Sequence, residues 1–213
     1  MVRQHVNPLL RRFEIYSGAP IASLFAAPTS PLHLDIGCAA GGLVRELARR
    51  RPLVNHLGVE LRDEPLAQAR RAAAAAALPN LAYVCVNLER SGGAILRDFP
   101  GPIETVSILH PDPCFKNVHA KRRVVTPALL DLLARLQPVG GRLFFQTDVQ
   151  PLFDEVRERL RAASAFYELT DATPSIPLFG VPTEREALVR REGGEVFAAV
   201  AVRTAATAGA RPS

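Results

Sequence analysis

The sequence lacks the long apolar runs of a membrane protein. No window reaches 18 uncharged apolar residues, and charges interrupt the N-terminal MVRQHVNPLLRRF where a signal peptide would have its apolar core. We therefore expect a cytoplasmic protein that does not enter a membrane. Cysteine is also scarce: Cys38, Cys85 and Cys114 lie far apart without CxxC spacing, which favours small buried side chains and predicts no metal site.

Lysine is almost absent. Lys116 and Lys121 are the only two lysines among 26 basic residues, and both lie in residues 110–123, HPDPCFKNVHAKRR. This segment joins Asp112, held between two prolines, to the densest basic run of the chain, which predicts an anion bound beside an acid. A solvated loop followed by a basic helix start would give the same pattern. The net charge of +5 suits an anionic partner, although composition alone supports nucleic acid only weakly.

Short apolar runs alternate with helix-like segments along most of the chain. The predicted strands are LHLDI, LVNHLGVEL, LAYVCVNL, IETVSIL, GRLFFQTD and EVFAAVAVR, and the predicted helices lie at 42–51, 63–78, 126–136 and 151–163. This alternation is typical of a mainly parallel sheet with helices on both faces. The length of 213 residues predicts one domain, at 18–203, between a basic N-terminal arm at 1–17 and a disordered tail at 204–213.

A glycine-rich loop follows the first predicted strand and opens the first predicted helix. In DIGCAAGG, residues 35–42, Gly37 can make the tight turn and Gly41 lets backbone approach a ligand. Glu60 ends the second strand, 23 residues after Gly37, where an acid can accept both hydroxyls of a ribose. Asn87 ends the third strand, where an amide can bind an adenine edge. These positions predict an adenosine-containing ligand at the carboxyl ends of adjacent strands.

Two cofactors fit this arrangement, a dinucleotide and S-adenosylmethionine. Ala39 stands where a dinucleotide-binding loop has its middle glycine, which disfavours a pyrophosphate. Asp35, directly before the turn, would repel a pyrophosphate but complements the ammonium group of S-adenosylmethionine. A buried Asp35 that only accepts hydrogen bonds from loop amides is the alternative. An NAD-dependent oxidoreductase is disfavoured by the same two residues.

These motifs match a known family, because the sequence resembles bacterial tRNA (guanine-N7)-methyltransferases, class I enzymes that methylate the variable-loop guanosine. The resemblance covers most of the chain. It depends on DIGCAAG at 35–41, GVELR at 58–62, PDPxxKxxHxKRR at 111–123, Thr147-Asp148 and Thr183-x-x-Glu186. It implies a Rossmann-like class I methyltransferase, an α/β fold with a mainly parallel seven-stranded sheet and helices on both faces, and S-adenosylmethionine as cofactor.

The resemblance also implies roles for individual residues. Cofactor contacts fall on Asp35, Glu60, Asn87 and Asp112, beside Gly37 and Gly41 of the loop, with Asp112 also the catalytic residue; substrate contacts fall on Lys116, Asp148, Thr183 and Glu186. The basic run and the N-terminal arm are expected to meet the tRNA backbone at Lys121, Arg122, Arg123 and Arg3. The implied reaction methylates N7 of guanosine 46 in the variable loop of tRNA, with the enzyme a monomer or homodimer. Departures from the family's usual residues stand at Ala39, Cys114, Leu188 and Val189.

The expected chemistry needs alignment more than a strong base, because guanine N7 carries a lone pair and no proton. We hypothesise that Asp112, alone or with Asp148, stabilises the positive charge that develops on guanine. The alternative interpretation is that Asp148 caps the next helix. His110 is interpreted as a strand-end residue without a chemical role.

Two other functions stay open. A methyltransferase acting on a small molecule would share the cofactor half but would not explain the basic run after Asp112. A noncatalytic RNA-binding protein with a vestigial cofactor site would account for Ala39 and Cys114. Such a decayed site would have no reason to keep Asp35 and Glu60 together with Asp112.

Overall fold

The structure is a computed structural model that describes residues 7–8, 10–13, 16, 18–114, 122–163, 165–170 and 177–205. Its strands are β1 (Leu32–Ile36), β2 (Asn55–Val59), β3 (Leu81–Val84), β4 (Ile103–Leu109), β5 (Arg142–Thr147), β6 (Tyr167–Leu169) and β7 (Phe197–Arg203). Its helices are α1 (Gly42–Arg50), α2 (Asp63–Ala76), α3 (Leu88–Leu96), α4 (Pro127–Leu136), α5 (Gln150–Ala162) and α6 (Glu184–Arg191), after 3₁₀ turns at Arg11–Phe13 and Ile21–Leu24.

The strands of the described ranges form one seven-stranded sheet in the order β3-β2-β1-β4-β5-β7-β6. The first five strands are parallel, and β7 runs antiparallel to both of its neighbours. The mainly parallel sheet predicted from the sequence is therefore confirmed. The strand order reverses between β1 and β4, and such a switch point opens a crevice at the carboxyl ends of the strands. The ends of β1, β2 and β4 meet there.

Two apolar clusters hold the helices on the sheet. The larger one joins central strands to helices α3, α4 and α5 and includes Leu34, Val106, Ile108, Leu129, Leu133, Phe145 and Val156. The smaller one packs α1 and α2 against β3 and includes Val44, Ala48, Leu66, Ala69, Leu81 and Tyr83. Every residue of β1 and β2 is buried, as expected for central strands of a parallel sheet.

Most predicted elements are confirmed within two residues of their observed ends. The start of α4 shows why the prediction succeeds. Thr126 Oγ1 accepts a hydrogen bond from Leu129 N at 3.0 Å, and Pro127 occupies the first turn, where a missing N–H costs nothing.

The third strand was predicted wrongly at its end. The apolar run continues to Leu88, but β3 stops at Val84 and Leu88 begins α3. This helix contains Ser91, Gly92 and Gly93, which are poor helix formers. A Cβ on Gly92 would lie 3.0 Å from Leu132 of α4, so the glycine permits close helix packing. Helix α6 and the short strand β6 were also not predicted.

Among the described residues, no helix combines the length and apolar character needed to cross a bilayer. The predicted arm lies partly, and the predicted tail mostly, outside those residues. The division of the chain into arm, domain and tail therefore stays a prediction.

Candidate active site

The turn between β1 and α1 presents backbone to the crevice. Gly37, Ala39 and Gly41 have φ angles of 85°, 49° and 70°, a left-handed region that favours glycine. The turn is fixed to β2 because Gly37 N donates to the carbonyl of Val59 at 2.8 Å. Apart from Gly37 itself and its two chain neighbours, no described residue has an atom within 4 Å of the position that a Cβ on Gly37 would occupy. A ligand can therefore approach this backbone closely.

Glu60, just after β2, is 5% exposed and holds the far side of the turn. Its Oε2 accepts from Ala39 N at 3.0 Å, and its Oε1 accepts from Leu61 N and Arg62 N, both at 2.9 Å. The Arg62 guanidinium also pairs with Glu60 at 2.9 Å. This hydrogen bond and, to a lesser degree, the nearby Asp112 carboxylate raise the pKa of Arg62. Both carboxylates therefore favour the charged form of Arg62, and Glu60 pairs with it directly.

Asp35, in β1, is 5% exposed and lies directly below the glycine turn. Its Oδ1 accepts a hydrogen bond from Ser107 Oγ of β4 at 2.5 Å. Burial raises the pKa of Asp35 to about 6; the hydrogen bond from Ser107 lowers it, and the Glu60 carboxylate raises it further. A cation placed above the turn would favour the ionised carboxylate.

Asn87 lies between β3 and α3, three residues beyond Val84, so the prediction that it ends the third strand is wrong. Its side-chain nitrogen donates to the carbonyl of Pro8 at 2.9 Å, and its backbone nitrogen donates to the carbonyl of Phe13 at 2.9 Å. The N-terminal segment is thereby held against the end of β3. The sequence did not indicate this contact.

Asp112 is exposed on the loop that follows β4. Its Oδ1 accepts from Cys114 N at 3.0 Å, and Cys114 has a φ of 47°. Arg123 Nε donates to the carbonyl of Pro113 at 3.1 Å, and the same guanidinium forms an ion pair with Glu155 of α5. These contacts fix the described part of the loop to the domain.

Asp148 follows β5 and already has two partners. His110 Nδ1 lies 3.0 Å from Asp148 Oδ1, and Arg185 of α6 donates to Oδ2. Burial raises the pKa of Asp148, but hydrogen bonds from Arg185 and His110 outweigh it and bring the pKa to about 2. Asp148 does not cap α5, because the N-cap position is Val149 and Val149 N donates to Thr147 Oγ1.

Thr183 and Glu186 lie at the start of α6. Thr183 Oγ1 accepts from Glu186 N at 3.0 Å and caps the helix. The Glu186 side chain is buried, accepts from Gln146 Nε2 at 3.2 Å, and pairs with Arg190 Nε at 3.1 Å. The two residues therefore anchor α6 beside the end of β5.

This geometry occurs in a chain with clear relatives. A family model described as "Putative methyltransferase" matches residues 29–199. A tRNA (guanine-N(7)-)-methyltransferase of Thermosynechococcus vestitus is 41% identical over 198 residues, which is 92% of each chain. The protein of that name from Synechococcus elongatus is 40% identical over 205 residues, 95% of this chain and 96% of the relative. The chain belongs to the tRNA (guanine-N7)-methyltransferase family.

Solved structures agree with this family's expected architecture. The 16S rRNA methyltransferase KamB superposes with a TM-score of 0.59 at 20% identity, over 85% of this chain and 91% of that one. The antibiotic-resistance methyltransferase Kmr gives a TM-score of 0.55 at 18% identity, over 87% and 92%. At these identities the likeness shows the fold, and the predicted Rossmann-like methyltransferase fold is confirmed.

The structure brings Asp35, Gly37, Gly41 and Glu60 together around one turn, with Asp112 on the next loop of the sheet edge. Arg122 and Arg123 follow that loop. The predicted sites at Lys116, Lys121 and Arg3 lie outside the described residues and stay predictions.

Sequence reasoning gave no site role to three residues that contact the candidate site: Tyr83, which donates to the Gly41 carbonyl, and His110 and Arg185, which both contact Asp148. For Arg185, the only signal in the sequence was its charge, two positions after Thr183. In the described part of the chain, acidic, histidine and cysteine side chains form no group of three that could hold a metal.

Proposed function

We propose that this tRNA (guanine-N7)-methyltransferase methylates N7 of guanosine 46 in the variable loop of tRNA. One observation carries the assignment: Asp35, Glu60 and Asp112 stand at the carboxyl ends of three neighbouring strands around a turn of positive φ. The family membership supplies the reaction class, methyl transfer to guanine N7 of tRNA with S-adenosylmethionine as donor. We expect the enzyme to act in the cytoplasm as a monomer or homodimer.

The residues present fit S-adenosylmethionine. The open backbone at Gly37 leaves room for close approach, and the buried Asp35 carboxylate complements an ammonium group. Glu60 is fixed by backbone amides at the position from which an acid binds ribose hydroxyls. When bound, the cofactor supplies an electrophilic methyl group on a positively charged sulfur. We assign Asp35, Gly37, Gly41, Glu60, Asn87 and Asp112 to this half of the site.

The chain's own contribution to the reaction is alignment and charge. Guanine N7 needs no base, so orienting the base beside the donor accounts for most of the rate. The methylated guanine becomes positively charged, and the exposed Asp112 carboxylate can stabilise that charge as it develops. The same oxygens can accept hydrogen bonds from the N1 and N2 donors of guanine. Asp112 is therefore our candidate catalytic residue.

The substrate side lies toward β5 and α6. We assign Lys116, Asp148, Thr183 and Glu186 to this side; the last three meet where α6 packs beside the end of β5. Because Thr183 and Glu186 hold α6 in place, their contribution to binding includes the position of this helix. Phosphate contacts at the basic run give affinity without sequence information, so tRNA shape and the target base must supply recognition.

The decisive experiment measures transfer of labelled methyl from S-adenosylmethionine to an unmodified tRNA transcript. A matched transcript carries 7-deazaguanosine at position 46, which removes the accepting nitrogen and little else. Transfer to the first transcript and none to the second establishes both the reaction and the atom. Equal transfer to both would move the target to another nucleotide. Cofactor binding without transfer to either would favour a small-molecule substrate or a noncatalytic role.

A further inference from the structure

A buried hydrogen-bonded chain lies beneath the cofactor side of the crevice. His33 and Asp35 are two residues apart in β1 and so point to the same face of the sheet. Ser107 of β4 pairs with Asp35 in the strand register. His33 Nε2 lies 2.8 Å from Ser107 Oγ, and Ser107 Oγ lies 2.5 Å from Asp35 Oδ1. All three residues are at most 5% exposed, so water cannot replace these contacts.

The direction of the hydrogen bonds follows from counting protons. A serine hydroxyl has one hydrogen to donate and two lone pairs. If Ser107 donates to an ionised Asp35, its oxygen must accept from His33 Nε2–H. His33 then carries a proton on Nε2. Burial first, and then the nearby His56 and Arg51, lower the pKa of His33 well below its usual value, which agrees with a neutral ring.

The surroundings make ionisation of Asp35 depend on this chain. The titratable groups that interact with Asp35 or His33 from neighbouring elements are Glu60 and His56 of the β2 region, Cys38 of the turn, Tyr83 of β3, and Arg51 before β2. Burial and the Glu60 carboxylate both raise the pKa of Asp35, and the Ser107 hydroxyl opposes them. Without that hydroxyl the buried carboxylate would take up a proton at higher pH.

We propose that Ser107 and His33 are positioning residues, a hydrogen-bonded pair that holds the Asp35 carboxylate ionised and oriented for the ammonium group of the cofactor. This inference rests on the proposed function, in which Asp35 contacts that group. His33 acts through Ser107: its Nε2–H occupies one lone pair of the serine oxygen and so directs the hydroxyl hydrogen toward Asp35. Neither residue touches the cofactor itself.

The test is cofactor affinity as a function of pH, measured by calorimetry on the full chain between pH 5.5 and 8.5. The variants are Ser107→Ala, which removes the donor, and Ser107→Thr, which keeps it. Ser91→Ala, which removes a buried hydroxyl from α3, is the matched control. We expect the midpoint of the pH dependence to rise by about one unit in Ser107→Ala, weakening affinity about threefold at pH 6.5 and little at pH 8.5. Ser107→Thr and Ser91→Ala should keep the wild-type midpoint.

The contribution of His33 is tested with two replacements. His33→Gln retains an N–H that can reach Ser107, whereas His33→Leu has none. We expect the midpoint to rise in His33→Leu and to stay closer to wild type in His33→Gln. With saturating cofactor, kcat of soluble variants should change by less than about twofold, because the chain acts on binding.

The outcomes separate this inference from the proposed function. An unchanged midpoint in Ser107→Ala, with or without a uniform loss of affinity at every pH, would overturn the positioning role. If His33→Leu does not fold, Ser107→Ala against Ser107→Thr still decides the question for the hydroxyl. Absence of cofactor binding by the wild-type chain would instead count against the proposed function.

Discussion

The phenolic hydroxyl of Tyr83 in β3 donates a hydrogen bond to the backbone carbonyl of Gly41, 2.7 Å away. The tyrosine ring is 6% exposed and lies so close to Gly41 and Gly58 that a Cβ on either glycine would overlap it. The tyrosine therefore requires glycine at both positions, and at Gly41 the positive φ of 70° favours glycine as well. This contact fixes the backbone just before α1, where we propose that the cofactor binds.

Replacing Tyr83 with phenylalanine tests this relationship. The Gly41 carbonyl would lose the Tyr83 hydroxyl and keep Arg45 N as a donor at 3.0 Å, and we expect the lost hydrogen bond to cost about 1 kcal/mol of stability. Because the turn would be held less firmly, the cofactor Kd should rise by up to about fivefold. A rise of about fivefold corresponds to no more than the energy of the lost hydrogen bond. Tyr167→Phe is the control, because it removes a buried hydrogen bond to Gln137 Oε1 of 2.6 Å at β6. The Tyr167→Phe variant should lose a similar free energy of unfolding, measured by urea denaturation, and should keep the wild-type cofactor Kd. Equal Kd values for Tyr83→Phe and wild type would remove the hydroxyl from the site.

Ala39 carries backbone strain in the turn between β1 and α1. Its φ of 49° costs an L-residue about 1–2 kcal/mol, partly offset by the greater chain entropy that glycine loses on folding. We expect Ala39→Gly to raise the free energy of unfolding by about 0.5 kcal/mol. Ala77, with a φ of 48° at the end of α2, offers a matched site outside the turn. Ala77→Gly should stabilise similarly in urea denaturation. A destabilised Ala39→Gly beside a stabilised Ala77→Gly would mean that the Ala39 methyl group makes a contact worth keeping.

The sequence predicted the elements whose signals are local. Asp35 and Glu60 were placed at strand ends because buried strands and the glycine loop repeat a recognisable spacing. Gly92 reads as a helix breaker, yet in α3 it permits contact with Leu132. Only the partner helix explains it. Helix α6 is similarly hard to predict, because its buried Glu186 accepts a hydrogen bond from Gln146, forty positions earlier.

His110 shows the limit of the same reasoning at the site. It was interpreted as a strand-end residue, and it directly follows Leu109, the last residue of β4, but its φ of 48° turns the side chain toward Asp148. A non-glycine residue in the left-handed region is held there by tertiary contacts, and sequence pattern does not reveal it. The prediction of Asp148 as a site residue could not foresee that both of its oxygens have partners.

His56 should make the protein sensitive to acid. It is fully buried, neither ring nitrogen has a hydrogen-bond partner among the described residues, and burial followed by the nearby Arg51 lowers its pKa to about 4. As the pH falls, His56 is therefore protonated in the unfolded chain before it is protonated in the folded one. Its contribution to stability falls as pH drops from about 6.5 to about 4. Asp35 acts in the opposite sense, because its raised pKa of about 6 relieves the cost of a buried charge below that pH.

The His56→Leu variant separates these two effects. When the pH is lowered from 7.5 to 4.5, the free energy of unfolding of the variant should rise by about 2–3 kcal/mol relative to that of wild type. Urea denaturation at both pH values measures this change. The difference in stability between variant and wild type is taken at each pH, and comparing the two values removes any pH-independent effect of packing a leucine at this position. Parallel pH profiles for variant and wild type would show that His56 is not the acid-sensitive group.

Asp112 is tested as the catalytic residue by Asp112→Asn, which keeps the shape and removes the charge. If the carboxylate stabilises the charged guanine, turnover should fall on the order of a hundredfold. Asp98→Asn, an exposed acid after α3, controls for loss of surface charge. Single-turnover methyl transfer with both substrates saturating is the measurement. Near-normal turnover in Asp112→Asn, with both substrates bound, would show that the charge has no catalytic role.

Arg123 distinguishes two ways in which a basic run can serve a nucleic-acid enzyme. The sequence assigned it to the tRNA backbone, but its guanidinium donates to the Pro113 carbonyl and pairs with Glu155. With 20% of the side chain exposed, we expect Arg123 to act mainly by holding the loop that carries Asp112. Arg123→Ala and Glu155→Gln should then share one defect, slower methyl transfer with an unchanged dependence of tRNA affinity on salt.

A phosphate contact would give a different pattern. Arg123→Ala would then reduce the slope of log affinity against log salt by about one, and Glu155→Gln would not. Arg135→Ala, which removes an exposed arginine paired with Asp131 on α4, provides the baseline for losing one surface charge. The salt dependence of tRNA affinity counts phosphate contacts, whereas the rate of methyl transfer with saturating substrates reports the position of the loop. The two measurements together therefore assign the role of Arg123. A reduced slope confined to Arg123→Ala would return this residue to the tRNA interface.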